Sequence, residues 1–489
     1  MKPHVVIIGG GVTGLTAAFT LKQLASQENV ALRCTVFEAS SRLGGKILTH
    51  RERGFVMEGG PDSLLARKPE GTQLIRDLGI ESEVVGSNTQ SLKTYILHHG
   101  RLETMPPGTN MGIPAQIAPF ASTKLLSPSG KARALMDLVL PKSTLEGDES
   151  LGHFLRRRLG DELVNNIVEP LLAGIYAGSV DELSLQATFP QFQTLESKYR
   201  SLILGSIAQR KNAPARTNTS GRSAFITLRG GLETLIERLY DNLQDFAELQ
   251  TDTRVVALRK NSDGTYTVEV ENQGETHAYP ADAVILATPA FVTAQLLDPS
   301  LPEAGKLRQI HYVSTATVML AYPKSRIDAN LDASGFVIPR HENRAITACT
   351  WVSSKWPHTS PEDYVLIRCY VGRSGQTEAL SLSDGDMASM VQGELKDILG
   401  IDAQPWFVKV TRWNDAMPQY GLNHIKVVKE VESALRQKLP GVLIAGAAYH
   451  GVGIPDCIAQ GRLAGEKAYE LTTTAAAPSG KASAPMVTS

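Results

Sequence analysis

Cysteine and net charge are both scarce in this chain. Only 4 of its 489 residues are cysteines and no two of them form a CxxC pair, so the sequence predicts neither a zinc site nor a disulfide framework. Such scattered cysteines indicate reduced thiols in the cytosol. Lys and Arg together number 49, and Asp and Glu together number 50. The resulting net charge of −1 argues against a nucleic-acid partner.

Long apolar runs are missing as well. No stretch of about eighteen apolar residues occurs, so the sequence predicts no membrane-spanning helix and leaves peripheral membrane contact open. The first predicted strand begins within a few residues of Met1, from which we expect no signal or transit peptide and a cytoplasmic location. A chain of 489 residues with 42% hydrophobic residues is expected to fold into two or three domains.

Residues 1–46 carry the most informative pattern. The β-branched run 4–8 predicts a buried parallel strand, and glycines at GxGxxG spacing lead from it into an apolar helical pattern. Gly9 permits a tight turn, Gly11 leaves room for a pyrophosphate near the backbone, and Gly14 lets the helix pack closely on the sheet. A second predicted strand, 32–37, ends in an acid that can accept hydrogen bonds from ribose hydroxyls. The predicted dinucleotide site comprises Gly9, Gly10, Gly11, Val12, Thr13, Gly14, Glu38 and Ala39.

A second glycine pattern follows the acidic residue. Residues 42–46 read R-x-G-G-K, and the segment 59–63 reads GGPDS. With these residues the sequence resembles the FAD-binding oxidases related to amine oxidases and phytoene desaturases. The resemblance implies FAD as the cofactor, and a non-covalent link, because 406–412 contains no cysteine before Trp413. It also implies that the cofactor is contacted by Arg42, Gly45, Lys46, Gly60, Pro61, Asp62 and Ser63.

The middle of the chain changes character. Residues 106–210 lose strand signals and read as helices, which predicts a helical insertion domain. Arg156, Arg157 and Arg158 mark the polar side of one helix, and we favour a solvated face over one that docks on an anionic membrane or a partner. Within this domain the segment 169–178, EPLLAGIYAG, contains two glycines that would let a large flat ligand approach the backbone.

His98 and His99 lie between two predicted strands that form a hairpin. No third ligand follows at a useful spacing, so we interpret them as turn residues and predict no metal site.

The C-terminal part carries a further signal. A predicted buried strand, 442–445, is followed by GAAYHGVGIPDCI, in which Pro455 and Asp456 suit the start of a helix. The N-terminus of this helix would face the N1–C2=O edge of a flavin, where negative charge develops on reduction. The resemblance adds a backbone contact to the adenine side and an indole near the flavin. These expected cofactor residues are Val255, Trp413, Val452, Gly453 and Ile454.

The predicted fold class is α/β, with a discontinuous FAD-binding Rossmann-like domain, an α+β substrate domain and a helical insertion domain, an amine-oxidase-like architecture. The FAD-binding domain is predicted in three segments, 1–90, 211–289 and 406–471. The substrate domain is predicted at 91–105 and 290–405, and the helical insertion at 106–210. The Ala/Ser/Thr/Pro-rich residues 472–489 are predicted to be a disordered tail.

Further segments make the resemblance more specific. GGGVTGL, EASSRLGGK, EGGPDS, MGIP at 111–114, EPLLAGIYAG and AGAAYHGVGIPDCI resemble the oxygen-dependent protoporphyrinogen oxidase family, up to residue 471. The sequence is most similar to the soluble branch of monoderm bacteria. For that branch the resemblance implies oxidation of coproporphyrinogen III to coproporphyrin III in haem biosynthesis. Transient contact with the next enzyme of the pathway is a further expectation.

The resemblance also implies a reaction scheme. Flavin N5 accepts hydride from the porphyrinogen and molecular oxygen reoxidises the flavin to give hydrogen peroxide, in three two-electron steps. No acid/base pair stands out in the sequence, so no catalytic side chain is predicted. Arg67 or Lys68 is expected to hold a propionate of the substrate, and the macrocycle is expected to contact Gly174, Ile175 and Tyr176.

Three other functions stay open at this point. Protoporphyrinogen IX could be the substrate instead, and an amine oxidase or carotenoid desaturase could use the same scaffold. A flavin-bound regulatory or docking protein without turnover is the alternative from a different class, and oxygen consumption would separate it from an oxidase.

Overall fold

The computed structural model of the protein describes residues 2–90, 93–143, 147–212 and 223–474. The predicted tail falls largely outside these ranges, at 475–489. The prediction is wrong for 472–474, which continue the last helix, Ile454–Thr474, with Thr472 buried.

A five-stranded parallel sheet forms the centre of the first unit. Its strands lie in the order Ala247–Gln250, Arg33–Phe37, His4–Ile8, Ala283–Leu286 and Val442–Ile444. Val5, Val6, Ile7 and Ile8 are all buried because both faces of the sheet are covered, and this explains their continuous apolar run. The strands predicted around 4–8, 32–37 and 442–445 are confirmed, and the first of them is parallel as predicted.

Each face of this sheet has its own cover. Val5 and Ile7 point toward one cluster, formed with the helices Val12–Gln27, Glu233–Leu243 and Ile454–Thr474. Val6 and Ile8 point toward the other cluster. The elements that cover that second face are the antiparallel strands Arg254–Lys260, Tyr266–Asn272 and Glu275–Ala281 and the helices Ala290–Leu297 and His424–Lys438.

A seven-stranded mixed sheet forms the second unit. Its strands lie in the order Phe407–Pro418, Tyr312–Pro323, Tyr364–Val371, Ile346–Trp351, Gly335–Val337, Tyr95–His98 and Arg101–Thr104. Only Gly335–Val337 and Tyr95–His98 pair in parallel. The helix Asp384–Leu399 covers one face through Met387, Val391 and Leu395. The hairpin predicted around His98 and His99 is confirmed.

The domain boundaries shift in two places. The strand Phe407–Pro418 pairs with Tyr312–Pro323 in the mixed sheet, so residues 406–418 do not continue the dinucleotide-binding unit as predicted. The helix Leu202–Asn212 likewise carries the helical unit to residue 212. With these corrections we keep the three-part division as a proposal, with the third dinucleotide-binding segment beginning after Pro418.

Residues 113–143 and 147–212 are mainly helical and pack around one apolar cluster. The helices and helical turns of this unit are Ile117–Ser122, Pro128–Leu135, Met136–Leu138, Leu151–Leu159, Asp161–Leu163, the π-helical turn Val164–Val168, Glu169–Tyr176, Leu185–Thr188, Pro190–Tyr199 and Leu202–Asn212.

Shorter elements join these three units. The remaining strands are Thr49–Glu52, Phe55–Glu58, Leu64–Leu65, Val84–Gly86, Thr109–Asn110, Ile113–Pro114 and Phe225–Leu228. The remaining helices and turns are Pro69–Asp77, Glu81–Glu83, Pro302–Gln309, Lys324–Arg326, Arg340–Glu342, Val352–Lys355, Pro357–Thr359 and Glu378–Ser381. No helix among the described residues is both long and apolar enough to cross a membrane.

The four cysteines are free and buried. Cys349 and Cys369 lie opposite each other on neighbouring antiparallel strands, which the sequence did not indicate. Burial, together with the neighbouring Cys369, raises the pKa of the Cys349 thiol. The Cys349 thiol is therefore held in the protonated, unreactive form.

The three arginines of the helix Leu151–Leu159 do not form one solvated face as predicted. Arg158 is fully buried and donates to the Asp137 carboxylate and to the carbonyl oxygens of Pro141 and Arg200. Asp137, also fully buried, accepts from the Ser201 hydroxyl and the Ile203 N–H as well. Together they form a buried ion pair at the centre of the helical unit.

Replacing Arg158 by alanine should strongly destabilise the helical unit. The change leaves the Asp137 carboxylate buried without its cation, which costs about 3–5 kcal/mol. Urea denaturation followed by far-UV circular dichroism would measure the loss. Arg156→Ala is the matched control on the same helix, since its half-exposed ion pairs with Asp161 and Asp181 are worth about 1 kcal/mol or less. Equal midpoints for the two variants would contradict this expectation.

Candidate functional site

The GxGxxG turn lies at the carboxyl end of the strand His4–Ile8. Gly9 has φ +110°, and a Cβ there would contact the Ala287 carbonyl oxygen at 2.6 Å. A Cβ on Gly14 would overlap the Gly9 carbonyl oxygen. Gly11 is different: its φ of −73° suits any residue, and an added Cβ would meet only the Gly45 Cα, at 3.9 Å. The space beside Gly11 is therefore open where the sequence predicts a pyrophosphate.

The first turn of the helix Val12–Gln27 contains the buried residues Val12 and Thr13. It directs its N-terminal N–H groups and its positive dipole end toward this space, as a diphosphate requires. Glu38 lies beside it. Its carboxylate accepts from the Gly10 N–H at 2.8 Å and from the Ser40 N–H at 2.9 Å, while Ala39 is exposed.

The R-x-G-G-K loop is held against this turn. The Gly44 N–H donates to the Gly10 carbonyl oxygen at 2.8 Å. Arg42 donates to the carbonyl oxygens of Leu43, Gly45 and Ile47. Its guanidinium therefore fixes the loop, and the cofactor contact predicted for it stays a prediction.

Lys46 supplies an uncompensated positive charge at this position. Its ammonium lies 5.8 Å from the ring centroid of Tyr312 and forms no ion pair with any residue that the structure describes. Burial lowers the pKa of Lys46 to about 8. A buried ammonium without a carboxylate is costly unless an anion joins it. Lys46, the open Gly11 and the helix N-terminus together fit a dinucleotide diphosphate.

The GGPDS segment crosses the face of the mixed sheet opposite the helix Asp384–Leu399. Another part of this face packs against Phe55, Met57 and Trp356. The Gly59 carbonyl oxygen accepts from the Trp413 indole N–H at 2.7 Å and from the Thr317 hydroxyl at 3.1 Å. Arg368 donates to the carbonyl oxygens of both Gly59 and Gly60. Three strands of the mixed sheet thus hold the predicted flavin-side segment in place.

Asp62 is paired within the protein, and its predicted contact with the cofactor stays a prediction. Its carboxylate accepts from the Lys355 ammonium at 2.8 Å and from the Ser63 hydroxyl at 2.7 Å. Although burial raises the pKa of Asp62, the charges of Lys355 and Arg368 hold it well below its usual range. Asp62 is therefore an ionised internal partner. Gly60 and the half-buried Pro61 remain as the backbone part of the predicted contact.

The N-terminus of the helix Ile454–Thr474 also differs from the prediction in one contact. Lys68, expected to hold a propionate, forms an ion pair with Asp456 in the first turn of this helix. Arg67 is exposed and has no ion pair within the described part of the chain. Of the two cations only Arg67 is free to meet a substrate carboxylate. Val452 and Gly453 are half-buried and Ile454 is buried, in the loop that leads into the helix.

The segment 169–178 is only partly placed as predicted. Gly174 is exposed, a Cβ there would meet no atom within 4 Å, and Ile175 is 42% exposed. Tyr176, however, is buried in the helical core, where its ring lies 6.2 Å from Phe189 and 5.8 Å from Tyr420. Gly174 and Ile175 can border a ligand, whereas Tyr176 packs behind them.

A chain of contacts joins this helix to the last one. The Tyr420 hydroxyl donates to the Ala447 carbonyl oxygen at 2.7 Å and accepts from the Gly451 N–H at 2.9 Å. Its ring stacks on His424 with the centroids 3.9 Å apart. The loop that precedes Ile454 is thereby fixed relative to the helix Glu169–Tyr176.

The sequence analysis did not identify two groups on the face of the mixed sheet opposite the helix Asp384–Leu399. Arg368 lies over the Tyr370 ring, 4.7 Å from its centroid, and the Tyr370 hydroxyl is 3.3 Å from the Thr350 hydroxyl. Both residues alternate with the apolar Ile367, Cys369 and Val371, which point to the opposite face. A two-residue alternation along 364–371 was the signal that could have identified them.

Val255 is placed near the acid of the nucleotide site. It lies just after residues 252 and 253, whose N–H groups donate to the carbonyl oxygens of Ser40 and Glu38, and its side chain is buried. The cofactor contact predicted for it can therefore involve its backbone only.

Comparison with known proteins agrees with this arrangement. The family model described as flavin containing amine oxidoreductase matches residues 12–467. The coproporphyrinogen III oxidase of Bacillus subtilis is 45% identical, over 95% of this chain and 97% of its own. That of Staphylococcus aureus is 37% identical, over 96% and 99%.

Solved structures of other proteins are also similar to this chain in fold. A crystal structure assigned to a protoporphyrinogen oxidase of Exiguobacterium sp. 255-15 is similar with a TM-score of 0.84 and 37% identity, over 96% of this chain and 99% of that one. Reduced UDP-galactopyranose mutase shares the fold, with a TM-score of 0.68 at 16% identity, over 98% and 97% of the two chains.

Filling the space beside Gly11 should weaken dinucleotide binding without unfolding the chain. For Gly11→Val we expect the FAD dissociation constant to rise roughly 10- to 100-fold, since overpacking costs about 1–3 kcal/mol. The measurement is flavin absorbance per protein after purification, with FAD titration of the apoprotein. Gly393→Val, at an exposed glycine with no neighbour within 4 Å, is the control. Unchanged FAD content in Gly11→Val would contradict the assigned position of the diphosphate.

Lys46 should make FAD affinity depend on pH. The pKa of its ammonium is lowered to about 8 by burial, and a bound diphosphate would raise it again. Affinity should therefore be constant below pH 8 and fall by up to about tenfold per pH unit above it, because the ligand prefers the protonated lysine. Quenching of FAD fluorescence on binding would measure this. Lys46→Met should flatten the profile, and the exposed Lys324→Met should retain it. A flat wild-type profile would refute the role.

Proposed function

The chain belongs to the flavin-containing amine oxidoreductase family, and we propose that it oxidises coproporphyrinogen III to coproporphyrin III with FAD and molecular oxygen, in haem biosynthesis. The observation that carries this proposal is the similarity to the coproporphyrinogen III oxidase of Bacillus subtilis, at 45% identity over 95% of the chain. The nucleotide site described above supplies the cofactor site that the reaction needs.

The reaction removes six hydrogen atoms from the porphyrinogen. The three oxidation steps take three hydrides from meso carbons and release three protons, two from pyrrole nitrogens and one from the fourth meso carbon. In each step one molecule of oxygen becomes one of hydrogen peroxide. When bound, FAD supplies the hydride acceptor and passes the electrons to oxygen. The aromatic product drives the sequence of steps. The protein is therefore left to bind the substrate, orient it and exclude water.

We assign the substrate to the space between the helix Glu169–Tyr176 and the face of the mixed sheet that lies opposite the helix Asp384–Leu399. Gly174 and Ile175 border this space from the helical side, and Gly174 has no Cβ to keep a flat macrocycle away. On the sheet side we assign the half-buried Tyr370 to its border, with the buried Arg368 stacked on the Tyr370 ring. Arg67 is the unpaired cation that we assign to a propionate group, because Lys68 is already paired with Asp456.

No side chain of the site is proposed to exchange protons with the substrate. The helix N-terminus at Val452, Gly453 and Ile454 is proposed to stabilise negative charge on the cofactor through its N–H groups. Its position depends on the hydrogen bond from the Gly451 N–H to Tyr420 and on the Lys68–Asp456 ion pair. These contacts keep the dipole in place before substrate arrives, so that no reorganisation is needed during reaction.

Protoporphyrinogen IX is the second candidate substrate, favoured by the similarity to the structure assigned to a protoporphyrinogen oxidase. The two compounds differ in the number of propionate groups, so the cations near the site affect which of the two binds better. A cytoplasmic location, transient contact with the next enzyme of the pathway and peripheral membrane contact remain further proposals. The four free, buried thiols support the first of them.

The function is tested by porphyrin fluorescence in air. Purified protein with bound FAD should oxidise coproporphyrinogen III well above the autoxidation control and faster than protoporphyrinogen IX, consuming three molecules of oxygen per porphyrin. Faster oxidation of protoporphyrinogen would assign the enzyme to that substrate instead. Turnover of amines, or bound flavin with no oxygen uptake for either porphyrinogen, would overturn the proposal.

Gly174→Leu refines the same assay. The variant should retain FAD, since Gly174 is remote from the nucleotide loop in sequence and borders open space. Its kcat/KM for the porphyrinogen should fall by about 10²-fold or more, because a side chain at this position displaces the macrocycle from its productive position. Gly393→Ala, at an equally open glycine on the far helix, is the matched control. Wild-type turnover in Gly174→Leu would remove this segment from the substrate site.

A further inference from the structure

We infer that His98, His341 and Glu342 form a binding site for a divalent transition-metal ion, with Zn²⁺ as the probe. One ring nitrogen of each histidine and a carboxylate oxygen of Glu342 lie within 4.8 Å of one another. Two imidazoles and a carboxylate are a donor set that proteins use for Zn²⁺, with water in the fourth position.

Strand pairing brings these residues together from distant parts of the chain. His98 ends the strand Tyr95–His98, which pairs in parallel with Gly335–Val337, so that Ile96 lies opposite Val337. His98 is two residues beyond Ile96, and His341 is four residues beyond Val337. The prediction of no metal site rested on the lack of a third ligand near His98 in sequence. The parallel pairing supplies two ligands from the turn Arg340–Glu342, and His99 is not one of the three.

Two of the three groups are already held in place. The Glu342 side chain is 9% exposed, and its carboxylate accepts from the N–H groups of His99 at 2.6 Å and Gly100 at 3.2 Å. Nδ1 of His98 is excluded from solvent and has no hydrogen-bond partner among the described residues. A buried polar atom without a partner is costly. A metal ion bound through this nitrogen would supply the partner that it lacks.

The third group can move. Zinc–ligand bonds of about 2.0–2.2 Å in a tetrahedron place the ligand atoms about 3.4 Å apart, so the three groups must close by roughly 1 Å. His341 is 42% exposed and can rotate without disturbing the core.

Because of the position of this site, a bound ion would link two parts of the structure. Arg340, next to His341, pairs with Glu169 at 2.7 Å and donates to the carbonyl oxygens of Gly178 and Ser374 at 2.9 and 2.7 Å. It thereby ties the turn Arg340–Glu342 to both ends of the segment 169–178. His341 and Arg340 also line a polar cavity of about 410 Å³. A metal ion would fasten this turn to the hairpin that carries His98.

The test uses the holoprotein with bound FAD and does not depend on its substrate. Isothermal titration with Zn²⁺ should show one ion per chain, and Co²⁺ should give a visible ligand-field band in the red, where flavin does not absorb. Saturating Zn²⁺ should raise the melting temperature by roughly 2 °C or more, because the ion binds only the folded chain. His98→Ala and His341→Ala should each weaken binding by about tenfold or more.

His277→Ala is the matched control, since His277 is an exposed histidine 3.6 Å from Glu275 and belongs to no cluster of three such groups among the described residues. It should bind Zn²⁺ as the wild type does. Because His341 is exposed, its variant should fold even if His98→Ala does not. Absence of binding to the wild type, or equal affinity in wild type and His341→Ala, would overturn the site. Neither result bears on porphyrinogen oxidation.

Discussion

Two peptide carbonyl groups, those of Gly59 and Gly60, join the nucleotide-binding unit to the sheet of the second unit. Trp413, Thr317 and Arg368 come from three adjacent strands of that sheet, and all donate to these two oxygens. A Cβ on Gly60 would overlap the Lys46 carbonyl oxygen, so the segment also packs directly on the R-x-G-G-K loop. The distance between the diphosphate space and the sheet face opposite the helix Asp384–Leu399 is therefore set by one short strip of backbone, that of Gly59 and Gly60.

Charges buried beside this strip hold it rigid. Asp62 is paired with Lys355, and Arg368 lies close enough to lower its pKa further. Glu58, at the start of the strip, accepts from the Leu232 N–H and the Thr49 hydroxyl, and burial raises its pKa to about 7. Buried charges that keep their partners are costly to separate. Such a network favours one arrangement of the two units over a looser one.

The helical unit reaches the same region through aromatic and polar contacts. Tyr176 packs near Tyr420, whose hydroxyl holds the Gly451 N–H in front of the last helix. On its other side, Glu169 binds Arg340 of the mixed sheet. The helix Glu169–Tyr176 is thus held at both ends while Gly174 and Ile175, between them, stay exposed. This arrangement gives one rigid border to the space that we assign to the substrate.

The sequence by itself determined the nucleotide-binding half of the protein. Glycine is required by positive φ at Gly9, Gly44 and Gly45 and by close packing at Gly14, and two covered sheet faces require the apolar runs. Both patterns can therefore be recognised in the local sequence. Side-chain partners that are distant in sequence were decided only by the tertiary structure. Lys68 with Asp456, Asp62 with Lys355, Arg158 with Asp137 and His98 with His341 all depend on strand order and helix packing. Local sequence patterns cannot identify these pairs. A charged residue or a histidine has the same neighbours in sequence whether its side chain contacts solvent, substrate or a partner from another strand.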